Sequence, residues 1–519
     1  MSPARLAPLV ATSGVVASTT KRGEKVAALA ELIASLAPGE ARVAVAYLAG
    51  EAPQGRIGIG WATISAAADA TAASEPSLTI AEVDAALDRL AATSGPGSQK
   101  ARVDQLRELF GRATAAEADF LRRLLIGELR QGALEGLMAD AVAKGAGVPL
   151  AATRRAAMLH GDLAAIAEVA LASGEEGLAA IGLEIGRGLK PMLASPAESP
   201  ADTLAGGGRS VVEWKLDGAR IQVHRRGGDV VVYTRNLNDV TERMPEVVAT
   251  VLDLDASDVV LDGEALLLDP GRRPVPFQET MSRFGRETVE VDGPLLVPFF
   301  FDVLHLDGDD LLDLPLDERR SHLAAAVPEG LRVPGTEVTT AEGVSQVLAE
   351  ALSVGHEGVV VKDPASRYEA GRRGAAWRKL KPSHTLDLVV LAAEWGHGRR
   401  QGWLSNLHLG ARDPGADPDD PAGGFVMLGK TFKGLTDELL TWQTAELLAR
   451  EVSRDRHVVH VRPELVVEIA LDGVQTSTRY PGGMALRFAR VKRYRPDKDA
   501  AEADTVEVVR AIHEGRLPT

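Results

Sequence analysis

The sequence predicts a multidomain α + β chain with an all-α N-terminal region, a mixed α/β middle and a small β-barrel at the C-terminal end. Three observations predict it. Apolar residues recur at helical spacing through about residue 188, and a Pro- and Gly-punctuated stretch at 186–208 then ends that periodicity. Beyond it come short β-branched runs bounded by Gly, Asp or Asn, and from about residue 385 strands alternate with a single helical segment. At 519 residues the chain is several ordinary domains long, and 45% hydrophobic with 25% charged residues can fill a core in each.

In the first region, Val83, Ala86, Leu87 and Leu90 of TIAEVDAALDRL recur at i, i+3, i+4 and i+7, and Thr79 with Glu82 makes a capping-box pattern. In ADFLRRLLIGELRQGALEGLMADAVA, Phe120, Leu121, Leu124, Leu125 and Leu129 are expected to line one helix face, with Gly127 and Gly132 between helices or at close backbone approaches. The second region, about 190 to 383, carries SVVEWKL, RIQVHRR, DVVVYTR, DVVLDGEALLL and LLVPFFFDVLHL, read as mixed antiparallel β with a few helices. The third starts with LDLVVLAAEW and carries ELVVEIALDGV, with the helix TDELLTWQTAELLAREV between them. Five or so strands and one helix suit an OB-fold. The acidic, breaker-rich loop at 413–424 is expected to be exposed, and no internal repeat is found.

Composition excludes several classes. Without cysteine there is no zinc ribbon, iron–sulfur cluster or disulfide framework. The N-terminus lacks a charged segment followed by a sustained apolar core, and no stretch reaches 18 apolar residues, so a soluble intracellular protein without a membrane partner is expected. The formal charge of −15 disfavours nucleic acid, yet Arg372–Lys381 holds five basic residues and no acidic one, and Arg487–Lys498 holds six against one. Such local fields survive on an acidic protein because salt screens exposed charges beyond about 8–10 Å.

The sharpest chemical signal is EWKLDGAR, residues 213–220. Lys215 ends a β-like run just before an Asp-Gly turn, which would present its amine at the mouth of a pocket. An amine is nucleophilic only when deprotonated, so desolvation or neighbouring cations must lower its pKa from about 10.4; Arg220, Arg235, Lys362, Lys379 and Lys381 are available cations. Taken alone, K-x-D-G also describes an ordinary turn with a surface lysine.

Further motifs follow in order: TRN (Thr234–Asn236), DGE (Asp262–Glu264), FFDVLHLDG (Phe300–Gly308), EGVVVK (Glu357–Lys362), WRKLK (Trp377–Lys381) and RYRPDK (Arg493–Lys498). With the lysine motif, this series resembles the nucleotidyltransferase superfamily of ATP-dependent DNA ligases and mRNA capping enzymes. The resemblance implies an ATP-grasp-like adenylation domain in which Lys215 accepts AMP as a lysyl phosphoramidate. It implies that Glu213 reads the adenine edge, that Phe301 stacks on adenine, and that Arg220, Arg235 and Arg373 hold ribose, phosphates or the nick. Glu264 is similar to the ribose-contacting carboxylate with possible metal duty, and Glu357 to the main metal carboxylate, for Mg²⁺ with Mn²⁺ as an alternative. Lys379 and Lys381, alternating on one strand face, would both reach the α-phosphate. Arg493 and Lys498 would orient pyrophosphate, and the C-terminal barrel would then swing about a hinge near Pro382–Leu386.

The helical first region, with VVASTTKRGEKVAALAELI, GIGWATI and LHGDLAAIAEVAL, resembles the DNA-binding domain of the larger ATP-dependent DNA ligases, and PMLAS at 191–195 the start of their adenylation domain. Capping enzymes and minimal viral ligases lack that helical domain, and NAD-dependent ligases carry a four-cysteine zinc finger. The stretch DGVQTSTRYPGGMALRFARVKRYR is similar to actinobacterial members, although Ala489 stands where the family more often has proline. The resemblance implies three domains, DNA-binding at 1–188, adenylation at 189–383 and OB-fold at 384–519. It further implies nicked duplex DNA as partner, a monomer, and a bacterial cytoplasmic, nucleoid-associated location. Lys21, Arg22 and Arg130 are candidate phosphate contacts. The rivals are a GTP-using capping enzyme or RNA ligase, and a non-catalytic nick-binding protein of the same fold.

Overall fold

Capping chemistry sets the N-terminal helices in the computed structural model, which describes residues 3–55, 57–129, 135–204, 208–269, 271, 273–275, 279–280, 295–416 and 423–515. Thr79 accepts from the Glu82 amide while the Glu82 carboxylate returns to the Thr79 amide, starting the helix Ile80–Ala92 as its sequence predicts. Thr114 and Glu117 repeat the device at the helix Ala115–Leu125. That helix stops before Gly127, which lies between helices as the sequence suggests, and so does not extend to Leu129. Gly127 adopts φ 68° and the chain leaves the helix after Leu125, so Leu129 is buried from the following turn and not from the same helical face as Phe120, Leu121 and Leu124. Gly132 lies outside the described residues. The helices from Leu6–Ser18 to Leu163–Ala179 close on one core that includes Leu29, Ile33, Tyr47, Phe110, Leu121 and Met138.

The five runs read as strands form β2 (Ser210–Lys215), β3 (Ala219–Arg226), β4 (Asp229–Thr234), β5 (Asp258–Leu268) and β6 (Leu295–Leu306), and WRKLK lies at the end of β10 (Arg373–Leu380); β1 (Leu193–Pro196), β7 (Asp309–Asp310), β8 (Gly335–Val338) and β9 (Gly358–Lys362) are short strands that the sequence reading did not single out as strands. Antiparallel pairing builds a sheet in the order β4-β3-β5-β6-β7. Its Ile221, Val223, Val259, Leu261 and Val303 pack with Val247 and Val251 of the helix Pro245–Leu252 and Leu323 of the helix Leu316–Ala326. β2 pairs antiparallel with β8, Glu213 opposite Gly335.

The C-terminal region holds β11 (His384–Trp395), β12 (Leu404–Arg412), β13 (Phe425–Thr431), β14 (Glu451–Arg454), β15 (Val458–Val461), β16 (Val466–Leu471), β17 (Gly473–Thr476), β18 (Met484–Arg487) and β19 (Arg490–Tyr494). A seven-stranded sheet contains all but β17 and β18, which form a two-stranded ribbon. Alternate residues Leu407, Leu409 and Ala411 of β12 face the core with Leu440 and Leu447 of the helix Asp437–Ala449. This strand-rich domain fits the expected OB-fold and has more strands than five, together with a second helix, Val506–His513. Strands β14, β15 and β17 to β19 are only four or five residues long, too short for period-two patterning to stand out.

Contacts divide the chain into two compact units. The first joins Met1–Ser195, Gly207–Thr339 and Lys362–Arg378; the second joins Pro196–Gly206, Thr340–Val361 and Lys379–Thr519. No helix among the described residues is long and apolar enough to cross a membrane.

Candidate active site

Lys215 is the last residue of β2, placed there by the buried β-branched pair Val211 and Val212 and released by the turn that follows. Gly218 is required by a close approach: a Cβ there would lie 2.4 Å from the Ala265 carbonyl oxygen and 3.0 Å from Glu264 Cγ. The turn after Lys215 is thereby pressed onto the part of β5 that carries Glu264. In the β3–β5 register Arg220 stands opposite Glu264.

Arg220 makes a forked pair with Asp262, Nε to Oδ1 at 3.1 Å and Nη2 to Oδ2 at 2.6 Å, and Asp262 is fully buried. The same Oδ2 accepts the Tyr368 hydroxyl at 2.5 Å. The Arg220 guanidinium lies 5.2 Å from the centre of the half-buried Phe301 ring.

On β2, the buried Glu213 carboxylate meets Lys362 Nζ at 2.5 Å. Burial pushes the Glu213 carboxyl up, and the Lys362 charge opposes it. Lys362, also buried, donates to the Phe301 carbonyl at 3.2 Å and lies 4.7 Å from the Phe301 ring and 4.3 Å from the Trp377 ring. Glu213, Lys362, Phe301, Arg220 and Trp377 thus form one connected group of a carboxylate, two cations and two aromatic rings. Arg235 is exposed in the turn after β4, and Arg373 is exposed at the start of β10. In the helical region Lys21 is exposed and paired with Glu24 at 2.8 Å, while Arg22 reaches Asp140 at 2.6 Å and the Gly136 carbonyl at 3.1 Å. Arg130 lies outside the described residues.

The second unit holds the other motif residues. Glu357 pairs with Lys381 at 2.6 Å, with Arg487 at 3.7 Å. Gly358 has φ 147°, and a Cβ there would meet the Leu380 carbonyl at 2.3 Å, so the glycine after Glu357 lets these segments touch. Lys379 and Lys381 flank the buried Leu380; Lys381 lies one residue past the end of β10. Of the tail motif, Arg493 pairs with Glu468 at 2.8 Å, and Lys498 and Arg495 both pair with Asp387, at 2.6 and 2.8 Å. The Asp387 carboxylate holds the Lys498 ammonium above its usual range.

Sequence reasoning gave no role to Asp262, although it lies in a quoted motif, or to the partner function of Lys362. Tyr368 was not singled out, and neither was the buried Arg319–Asp302 pair.

A strand-end lysine before a turn packed on β5, and an arginine beside a half-buried aromatic ring, are the arrangement expected of the nucleotidyltransferase class. Models of three segments match: "DNA ligase N terminus" over residues 64–143, "ATP dependent DNA ligase domain" over 191–381 and "ATP dependent DNA ligase C terminal region" over 400–498. A protein of Saccharopolyspora erythraea named "Probable DNA ligase" is 58% identical over 507 residues, covering 98% of each chain. One of the same name from Rhodococcus jostii is 55% identical over 508 residues, covering 98% of this chain and 99% of its own. The solved structure Pmar-Lig_PreS3 covers 94% of this chain and 99% of its own with a TM-score of 0.58 at 18% identity, a likeness of fold alone. The chain belongs to the ATP-dependent DNA ligase family.

Proposed function

We propose that this chain is the enzyme its family membership indicates, sealing 5′-phosphate/3′-hydroxyl nicks in duplex DNA during replication, repair or recombination. The observation that carries the reading is the position of Lys215, at a strand end just before a turn pressed onto β5. In the first step the neutral Lys215 amine attacks the α-phosphorus of ATP; the N–P bond forms, the bond to the bridging oxygen breaks, and pyrophosphate leaves. AMP then passes to the 5′-phosphate and frees Lys215. Finally the 3′-hydroxyl attacks that phosphate and AMP departs. These are phosphoryl-type transfers, so catalysis rests on positioning and charge stabilisation.

In this reading Glu213 faces the adenine edge and Phe301 its plane. Arg220, Arg235 and Arg373 hold ribose, phosphates or the nick, Lys379 and Lys381 serve the α-phosphate, and Arg493 and Lys498 serve the pyrophosphate. Among the described residues no group of three or more His, Cys, Asp or Glu could hold a metal. Mg²⁺ takes one or two carboxylates and completes its shell with water and substrate phosphate. Glu264 and Glu357 would supply those oxygens to Mg²⁺ or Mn²⁺, and the ion would neutralise phosphate charge. The domains divide at about 188 and 383, Lys21, Arg22 and Arg130 contact DNA phosphates, and the protein works as a cytoplasmic monomer on nucleoid DNA.

The test is incubation with α-labelled ATP or GTP and a divalent metal, followed by mass measurement. An AMP adduct on Lys215 that pyrophosphate removes is expected. Lys215→Ala should abolish the adduct yet retain some sealing of nicks already carrying AMP, because only the first bond needs the amine. A guanylate adduct would instead indicate capping or RNA-ligase chemistry, no adduct a non-catalytic protein, and an adduct on Lys379 or Lys381 a misassigned nucleophile.

A further inference from the structure

Tyr368 sits between β9 and β10 and belongs to none of the motifs that mark the site. Its hydroxyl accepts the Met192 amide at 3.1 Å and lies 2.5 Å from Asp262 Oδ2. A phenol has one proton; with the amide on a lone pair of its oxygen, that proton points at Asp262. Asp262 therefore receives three donors, the Tyr368 hydroxyl and Arg220 Nη2 on one oxygen and Arg220 Nε on the other. Turning this buried carboxylate would break all three bonds.

The ring that carries the hydroxyl is itself fixed. It meets Trp377 edge-on at 5.9 Å, and the Arg319 guanidinium lies over it at 5.9 Å. Arg319 is in turn locked by both oxygens of Asp302, at 2.8 and 3.0 Å, and by the carbonyls of Leu314 and Ser366. Burial holds the phenol well above its ordinary pKa of 10, so it remains a donor across the working pH range.

We propose that Tyr368 is a positioning residue that acts through Asp262 to fix the orientation of the Arg220 guanidinium beside Phe301. The proposal rests on the nucleotidyl-transfer reading and adds to it a residue outside the motif set. Without the phenol, Asp262 would keep only its pair with Arg220, and the pair would be free to turn as a unit.

The experiment uses the full-length chain and times two steps separately, self-adenylation with ATP and sealing of a nick already carrying AMP. Arg220→Ala first identifies the step that needs the guanidinium. Tyr368→Phe, which keeps the ring and removes only the hydroxyl, should slow that same step about tenfold, the size of one hydrogen bond to a charged group, and leave the other within twofold. Added to Arg220→Ala, it should have no further effect, since a residue acting through Arg220 is silent once Arg220 is gone. Asp262→Asn, which keeps the shape and removes the charge, should impair the same step as Arg220→Ala. Equal slowing of both steps by Tyr368→Phe, or the same slowing with and without Arg220, would overturn the proposal and leave Tyr368 a merely structural residue. A wild-type protein that forms no adduct at all would instead overturn the nucleotidyl-transfer reading itself.

Discussion

Acid should weaken this protein in part through the buried His224. His224 on β3 is 1% exposed; the Gly186 amide donates to its Nδ1 at 3.2 Å, and its Nε2 meets Gln222 Oε1 at 2.9 Å. Gln222 in turn takes the Leu189 amide at 2.7 Å, so the ring must be neutral with its proton on Nε2. A second proton would set an N–H against the Gly186 N–H. Burial, with a smaller contribution from His305, pushes the His224 pKa down to about 4 from 6.5. The sign follows from linkage: below pH 6.5 the unfolded chain binds a proton that the folded chain refuses until about pH 4, so this stability is intact above 6.5 and is lost as pH falls toward 4. The full difference corresponds to about 3 kcal/mol, of which about 2 kcal/mol should already be gone at pH 5. Urea unfolding at pH 7 and pH 5 would compare the wild type with His224→Gln, which keeps an acceptor for Gly186 and cannot titrate. The variant should lose about 2 kcal/mol less between the two pH values, and ¹³C-histidine NMR should place the native His224 titration near pH 4. A native titration near 6.5, or an identical pH dependence in both proteins, would refute the reasoning.

Two further outcomes follow from close contacts. Lys362→Met strands the buried Glu213 carboxylate and should destabilise the protein by about 3–5 kcal/mol in urea unfolding, while adding Glu213→Gln should restore part of the loss because no charge is then left buried. Gly218→Ala drives a methyl to 2.4 Å from the Ala265 carbonyl, so the turn after Lys215 must move. A loss of about 1–3 kcal/mol is expected, with self-adenylation at least tenfold slower; an adenylation rate within twofold of wild type would show that the turn geometry does not set the nucleophile.

What was legible in the sequence was what neighbours in the chain decide. The capping box at Thr79 and Glu82 spans four residues, and the runs that became β2 to β6 announce themselves by β-branched composition. Gly127 was legible as a break and lies between helices with φ 68°, whereas Leu129, placed by spacing on the face of Phe120 and Leu121, lies beyond the helix end. The partners of the site residues lie further away still. Lys362 reaches Glu213, and Tyr368 reaches Asp262 over 106 residues, which no local period can register.

Those distant partners also bear on the acidity of the chain, which disfavoured nucleic acid when read as a sum. Five of the motif cations are matched to carboxylates within their own unit: Arg220 to Asp262, Lys362 to Glu213, Lys381 to Glu357, Arg493 to Glu468 and Lys498 to Asp387. They divide by burial. Lys362 is 2% exposed at its side chain and Glu213 is 7%, so separating them would leave a charge in the interior, whereas Arg493 is 66% exposed and Lys498 is 31%. Exposed ion pairs contribute roughly 0–1 kcal/mol, so a phosphate could replace the carboxylate on the exposed Arg493 at little cost, whereas Lys498 shares the buried Asp387 with Arg495 and the buried Lys362–Glu213 pair would be costly to separate. The net charge counts both kinds alike. Of these five paired cations the most solvent-facing, Arg493, lies in the tail motif, where the proposed chemistry places the pyrophosphate.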